Sequence, residues 1–298
     1  AAGALWNLSV NSENKVKIAT AGGIPPLVKL MRVGNDVQRE NAAAVLWGLS
    51  VNDENKVKIG RAGGIRPLVG LIMYGNDVQK ENAAGALRNL AVNNENNVKI
   101  ATTGGIRPLV VLVTHGNDVQ KENAAGALWN LSLDRENREM IVTSGGIPPL
   151  ISLVQEGNDA QKEKATGVLW KLASENCVTI ADGGAIAVLV DFMRSGKVHQ
   201  KANQGDALRI LLNLSVNNLS KEQIAAEGSI PVLVALVENG DDEQKETATE
   251  ILWNLVFQNG DSNTATIAAA GGIPPLVDLA QNGNTTQTEN ASAALRCL

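Results

Sequence analysis

The sequence predicts an all-α repeat protein, a solenoid of three-helix units, and three observations carry that prediction. The string Asn123-Ala-Ala-Gly-Ala-Leu-Trp-Asn-Leu-Ser132 has relatives near residues 1, 41, 82, 164, 206, 247 and 290, which makes eight copies. A glycine stands at 34, 75, 116, 157, 196, 240 and 283, at intervals of 41, 41, 41, 39, 44 and 43 residues. Residues 52–92 and 93–133 are identical at 29 of 41 positions. A length of 298 residues would by itself suggest two domains. A fixed period overrules that prior, because stacked units bury one continuous core with no boundary of the globular kind. The array therefore reads as one domain over 1–298, with a partial unit at 1–10 and units at about 11–51, 52–92, 93–133, 134–173, 174–216, 217–258 and 259–298. The first four units are close duplicates or partly idealised, and the last three have diverged.

Each unit reads as three helices. Glu13 to Thr20 forms a short first helix, stopped by Gly22-Gly23, where glycine takes the left-handed conformation that closes a helix. Pro25 to Met31 forms the second, with proline in the first turn, where its missing N–H costs nothing. Gly34 ends it. Asn35 with Gln38 then has the spacing of a capping box, repeated as Asn76/Gln79, Asn117/Gln120, Asn158/Gln161, Asp241/Gln244 and Asn284/Gln287. A long third helix starts at each of them. In the fifth unit the spacing from Gly196 to Asn213 is 17 residues where the others have 14, Lys197 replaces the cap, and Gln204-Gly205-Asp206 interrupts the helix start. A longer loop or broken helix is expected within 197–206, with faster hydrogen exchange there and at 258–264 than in matching segments of units two and three.

Numbering the third helix from Asn130 as position 0 and turning 100° per residue puts Ala124, Ala125, Leu128 and Leu131 in one apolar arc. Asn123, Gly126 and Asn130 fall on the opposite side. One face is expected to be buried and the other shown.

Composition excludes several classes of function. A formal charge of −5 and a pI near 5.2 argue against nucleic acid as the main partner. No stretch approaches 18 apolar residues and no signal peptide opens the chain, so no membrane insertion is expected. Cys177 and Cys297 lie far apart, which fits a reducing cytosol or nucleus and a cytoplasmic or nuclear location. His115 and His199 are isolated, with no carboxylate or cysteine at a recurrent spacing to form a triad or a metal site, and no glycine turn continues as a phosphate loop. The chain is expected to be a monomer without enzymatic activity, cofactor or metal.

Two short helices followed by a long one, with Gly-Gly-Ile-Pro-Pro-Leu between the first two and Ala-Leu-Trp-Asn-Leu-Ser at the end, resemble the armadillo repeat. The likeness covers the whole chain, and the pattern is similar to the armadillo arrays of plant U-box ligases and vacuole-associated scaffolds. It implies a right-handed superhelix whose third helices line a concave groove, with the position-0 asparagines holding the backbone of an extended segment of another protein. Here that ladder is Asn7, Asn89, Asn130, Asn213 and Asn254, interrupted by Gly48, Lys171 and Cys297. A second polar row at position −7, Asn41, Asn82, Asn123 and Asn290, lies on the same face of the wheel.

An Asn amide both donates and accepts, so it can pair with the C=O and the N–H of one peptide unit. The competing reading is a structural amide that ties one unit to the next. All five tryptophans, Trp6, Trp47, Trp129, Trp170 and Trp253, occupy position −1, either as inter-unit core or as half-exposed anchors that flank the groove. Arg88 and Arg296 at the same position favour the half-exposed reading, since a buried guanidinium needs a partner. In nuclear import adaptors the groove tryptophan lies at −4. Here −4 holds Gly85 and Gly126, which disfavours recognition of basic nuclear signals and would leave the centre of the groove open to a close-lying peptide. The leading function is a non-catalytic binding scaffold. The alternative is the substrate-recognition array of a larger enzyme such as a U-box ubiquitin ligase, and both chain ends, inside third helices without polar caps, suggest a segment of a longer protein.

Overall fold

Side chains a fixed distance apart in sequence recur in the same structural role, and that recurrence builds the array. The computed structural model describes residues 2–194, 201–257 and 260–298, and every regular element among them is an α-helix. Residues 52–92 show the plan. The side chain of Asn52 accepts from the Asn55 N–H and starts the helix Asp53–Arg61. Gly63, at φ 74, closes it, and such a positive-φ glycine recurs at 22, 104, 145, 184, 228 and 271. The second helix, Ile65–Tyr74, stops at Gly75, and Asn76 caps the third, Asp77–Leu90.

Reciprocal capping boxes form at Asn35/Gln38, Asn117/Gln120, Asn158/Gln161, Asp241/Gln244 and Asn284/Gln287. The glutamine does a second job that spacing could not reveal. While Gln120 Oε1 accepts from the Asn117 N–H (3.2 Å), its Nε2 donates to the Asp77 carbonyl of the preceding unit (2.9 Å). Gln287 reaches Asp242 in the same way (3.3 Å). Glutamate could cap but could not donate, so only the amide both starts its own helix and staples it to its neighbour.

The chain divides into two compact halves, 1–153 and 154–298. In the first, Asp36–Leu49, Asp77–Leu90 and Asp118–Leu131 pack side by side in sequence order. Ala124, Ala125, Leu128 and Leu131 are fully buried, as the helical wheel requires. In the second half, Asp159–Asp182, Lys201–Ser215, Asp242–Val256 and Thr285–Cys297 stack likewise. Asp159–Asp182 runs a third helix into the next first helix, with a kink at Asn176 (φ −131, ψ 29). Among the described residues no single helix is long and apolar enough to cross a membrane.

The expected interruption at Gln204-Gly205-Asp206 is absent: all three lie inside Lys201–Ser215. A helical glycine costs only about 1 kcal/mol, and the packing of this helix against both neighbours outweighs it. The helix is unbroken from Lys201 to Asn213, the same 12 residues (213 − 201) that separate Asp118 from Asn130 (130 − 118). Residues 197–200, like 258–259 of the other segment for which fast exchange was expected, lie outside the described residues.

First helices carry a buried amide ladder of their own. Asn55 donates to the carbonyls of Lys15 (3.3 Å) and Leu49 (3.2 Å), Asn137 to Leu131 (3.2 Å), and Asn96 to Lys56 (2.9 Å). Asn96 lies across Gly60, where an added Cβ would stand 1.8 Å from its Oδ1. The equivalent positions before Asn55 and Asn137 hold Ala19 and Ala101, and there the amide also donates to the leucine carbonyl at the end of the preceding third helix. Gly60→Ala is thus expected to swing Asn96 toward Leu90 and to stabilise the helix by about 0.5–1 kcal/mol. Urea denaturation checks this, and a loss above about 1 kcal/mol would show that the amide cannot turn.

Candidate functional site

Within each half, stacking third helices brings position-0 residues side by side and fixes how each amide points. Ser50, two residues past position 0, donates its own proton to the Trp47 carbonyl (2.7 Å). Its oxygen can then only accept, and it accepts from Asn89 Nδ2 of the next unit (3.0 Å). Ser215 repeats this, bonded to the Leu212 carbonyl (2.7 Å) and accepting from Asn254 Nδ2 (3.0 Å). Before Asn130 the corresponding residue is Ala91, so no serine takes the carbonyl of Arg88, and Asn130 Nδ2 takes it directly (2.9 Å).

In all three cases the NH2 group is held by the preceding unit. Among the described residues nothing donates to Oδ1 of Asn89, Asn130 or Asn254, and one amide N–H of each is left over. Structural tie and open acceptor are thus properties of the same side chain. Asn213 is half-buried with Ala173 where the serine would stand, and Asn7, on the first copy, is exposed. Gly48, where the row is interrupted, faces Ser9 Oγ, 3.1 Å from an added Cβ.

The position −7 row is not on a shown face. Asn82 and Asn123 are buried, 8% and 3% exposed, while Asn41 and Asn290 are half-buried. Asn82 Nδ2 donates to the Glu40 carbonyl of the preceding helix (3.4 Å), and Asn123 Oδ1 accepts from Arg88 Nη1 (3.4 Å). A wheel drawn for one helix cannot register that the helix before it covers this side.

The tryptophans reach forward. Trp47 lies on Gly85, whose Cβ, if present, would be 2.4 Å from Cε2 of the indole. Arg88, in the place of tryptophan, lies on Gly126 and meets Glu122 Oε1 (3.5 Å). Gly85 and Gly126 therefore make room for the neighbouring unit's side chain, and the expectation that they leave the centre open to a peptide is corrected. Trp6 and Trp129 are exposed (49% and 37%), and Trp47, Trp170 and Trp253 are half-buried. The Trp170 ring carries Lys171 Nζ 3.6 Å from its centroid and the Arg209 guanidinium at 4.7 Å. Arg209 also pairs with Asp206 (2.8 Å) and Glu243. Burial pushes the Asp206 carboxyl up, against the pull of that guanidinium, and pushes Glu250 up as well. The Trp253 ring lies against Phe257, tilted by 49° with centroids 5.6 Å apart. Charge is thus gathered beside Trp170, and a second ring lies beside Trp253.

A family model described as Armadillo/beta-catenin-like repeat matches residues 11–51, 52–92, 93–133, 134–174 and 260–296. No curated protein sequence matches the chain. Among solved structures, an engineered protein is similar with a TM-score of 0.84 and 29% identity, over 99% of this chain and 73% of that one. A second engineered protein is similar at 0.66 and 27%, over 78% of this chain and 95% of that one. A chain from a structural study of a conserved phosphorylation switch controlling the interaction between cadherin and beta-catenin shares the fold, with a TM-score of 0.90 at 17% identity, over 99% of this chain and 56% of that one.

Proposed function

The chain belongs to the armadillo/beta-catenin-like repeat family, and from that premise we propose that it is a non-catalytic scaffold that holds an extended segment of another protein along its third helices. The observation that carries the proposal is the pre-set amide row. Asn89, Asn130 and Asn254 each have their NH2 group fixed by the preceding unit and an Oδ1 with no donor among the described residues. An acceptor whose orientation is already fixed loses little entropy on binding a peptide N–H. Stacked helices lie about 8–10 Å apart and an extended chain rises about 3.3 Å per residue, so each unit spans roughly two to three peptide residues. Asn89 and Asn130, in adjacent units, form the strongest pair. Trp47 and Trp129 border the side-chain positions beside them.

The test is Asn89→Ala with Asn130→Ala, titrated against a peptide selected from a displayed random library. Each lost amide is expected to cost about 1–2 kcal/mol of binding, or roughly fivefold to thirtyfold in affinity. Melting should fall only modestly, since each substitution removes one inter-unit hydrogen bond. Unchanged affinity in a folded double variant would place the ligand elsewhere, and loss of the fold would make the row structural alone.

A further inference from the structure

A second surface, formed by the second helices, has an internal template for its ligand. Arg32, near the end of Ile24–Val33, crosses to the next unit and donates through Nη2 to the Gly63 carbonyl (3.2 Å). That carbonyl is open to a side-chain donor because the residue four positions on is Pro67, which has no N–H. In the other half Arg194 makes the same crossing, with Nη2 3.4 Å from the carbonyls of Glu227 and Gly228. Both arginines stand two residues before a glycine of the repeat period, at 34 and 196. Before Gly75 that residue is Met73, which cannot donate. The Gly104 carbonyl is open in the same way as that of Gly63, since Pro108 lies four residues on, and no described group donates to it. A Cβ added at Gly63 would meet Arg32 Nη2 at 3.1 Å, whereas at Gly104 it would meet nothing within 4 Å. The unfilled space is a cavity of about 430 Å³ between Ile65–Tyr74 and Ile106–His115. Met73, Tyr74 and Val111, all exposed, line it.

We infer that this cleft binds an arginine side chain of a partner protein, in the place that Arg32 and Arg194 fill in their own units. The guanidinium would donate to the Gly104 carbonyl at the C-terminal end of the helix Asn94–Thr102, where the helix dipole favours a cation. Its aliphatic stem would cover Met73 and Val111, and the Tyr74 ring offers a face for cation–π contact. Arginine suits the cleft better than lysine because its planar group is more weakly hydrated and can donate while stacked. The charged groups lining the cleft are Asp77, Lys80 and Arg107, with His115 beside them. Two cations do not exclude a third here. Asp36, Arg39 and Arg66 stand at the same positions one period earlier, and Arg32 reaches the Gly63 carbonyl there all the same. This inference does not rest on the asparagine row, which lies on other helices.

The experiment is an NMR titration of the 15N-labelled chain with N-acetyl-arginine amide, alongside its citrulline and glutamate counterparts. The arginine probe is expected to shift the amides of Gly104, Gly105 and Tyr74 with a Kd on the order of 1–10 mM. Citrulline, neutral and of the same shape, is expected to bind at least about tenfold more weakly. Met73→Arg, at an exposed position, should restore the missing crossing, take the Gly104 carbonyl and abolish the arginine shifts. Absence of shifts at these amides would overturn the inference, as would equal binding of citrulline, tighter binding of the glutamate probe, or undiminished shifts in Met73→Arg.

Discussion

Asn97→Ala is expected to destabilise the first half of the chain by about 2–4 kcal/mol, more than loss of either groove asparagine. Asn97 is buried, and its Nδ2 donates to the carbonyls of Ala91 (3.1 Å) and Asn130 (2.9 Å). Its Oδ1 accepts from Asn137 Nδ2 (2.6 Å). Truncation removes three hydrogen bonds and leaves buried carbonyls unpaired, at a gross cost of about 3–5 kcal/mol. The better helix propensity of alanine returns only about 0.7 kcal/mol. Because Asn97 holds the backbone carbonyl of Asn130 itself, the same substitution should loosen the row proposed to bind peptide. Urea denaturation followed by hydrogen exchange at 128–137 checks both parts. A stability change under about 1 kcal/mol would mean that water replaces the amide.

Much of this architecture was legible because it is encoded locally and repeated. Asn117 and Gln120 are three residues apart, so the cap follows from spacing; Ala124, Leu128 and Leu131 share a helical face, so the core follows from periodicity. What one helix cannot encode is the offset at which the next unit stacks on it. That offset buries Asn123 and puts Trp47 over Gly85, and no wheel contains it. The first-helix ladder was open to reading, since Asn14, Asn55, Asn96 and Asn137 recur at the 41-residue period of the glycines. A buried amide in a helix that reads as polar is easily passed over, because composition there suggests solvent. Ser50 and Ser215 carried a similar signal: serine at a helix end can bond its own turn and so become a pure acceptor for the next unit.

The contact of Trp47 with Gly85 leads to the other large effect, and it bears on whether the aromatic row is a wall of the groove or part of the stack. Gly85→Leu is expected to cost about 2–4 kcal/mol although leucine is much the better helix former. The added Cβ alone would stand 2.4 Å from Cε2 of the indole and 2.7 Å from Cδ2 and Nε1, so the ring must lift. Lifting it gives up roughly 100 Å² of buried indole, about 2.5 kcal/mol at 25 cal/mol per Å². Overpacking adds about 1–3 kcal/mol, and the gain in helix propensity offsets about 1 kcal/mol of the total. Alanine is a milder case, since Ala44 already occupies this position one unit earlier, beside an exposed Trp6. If the clash is with the indole, Trp47→Ala with Gly85→Leu should cost at least about 1 kcal/mol less than the sum of the single changes. A double-mutant cycle by urea denaturation measures this coupling. Strict additivity would mean that Gly85 is required by the backbone and that Trp47 is free to turn outward as a binding anchor.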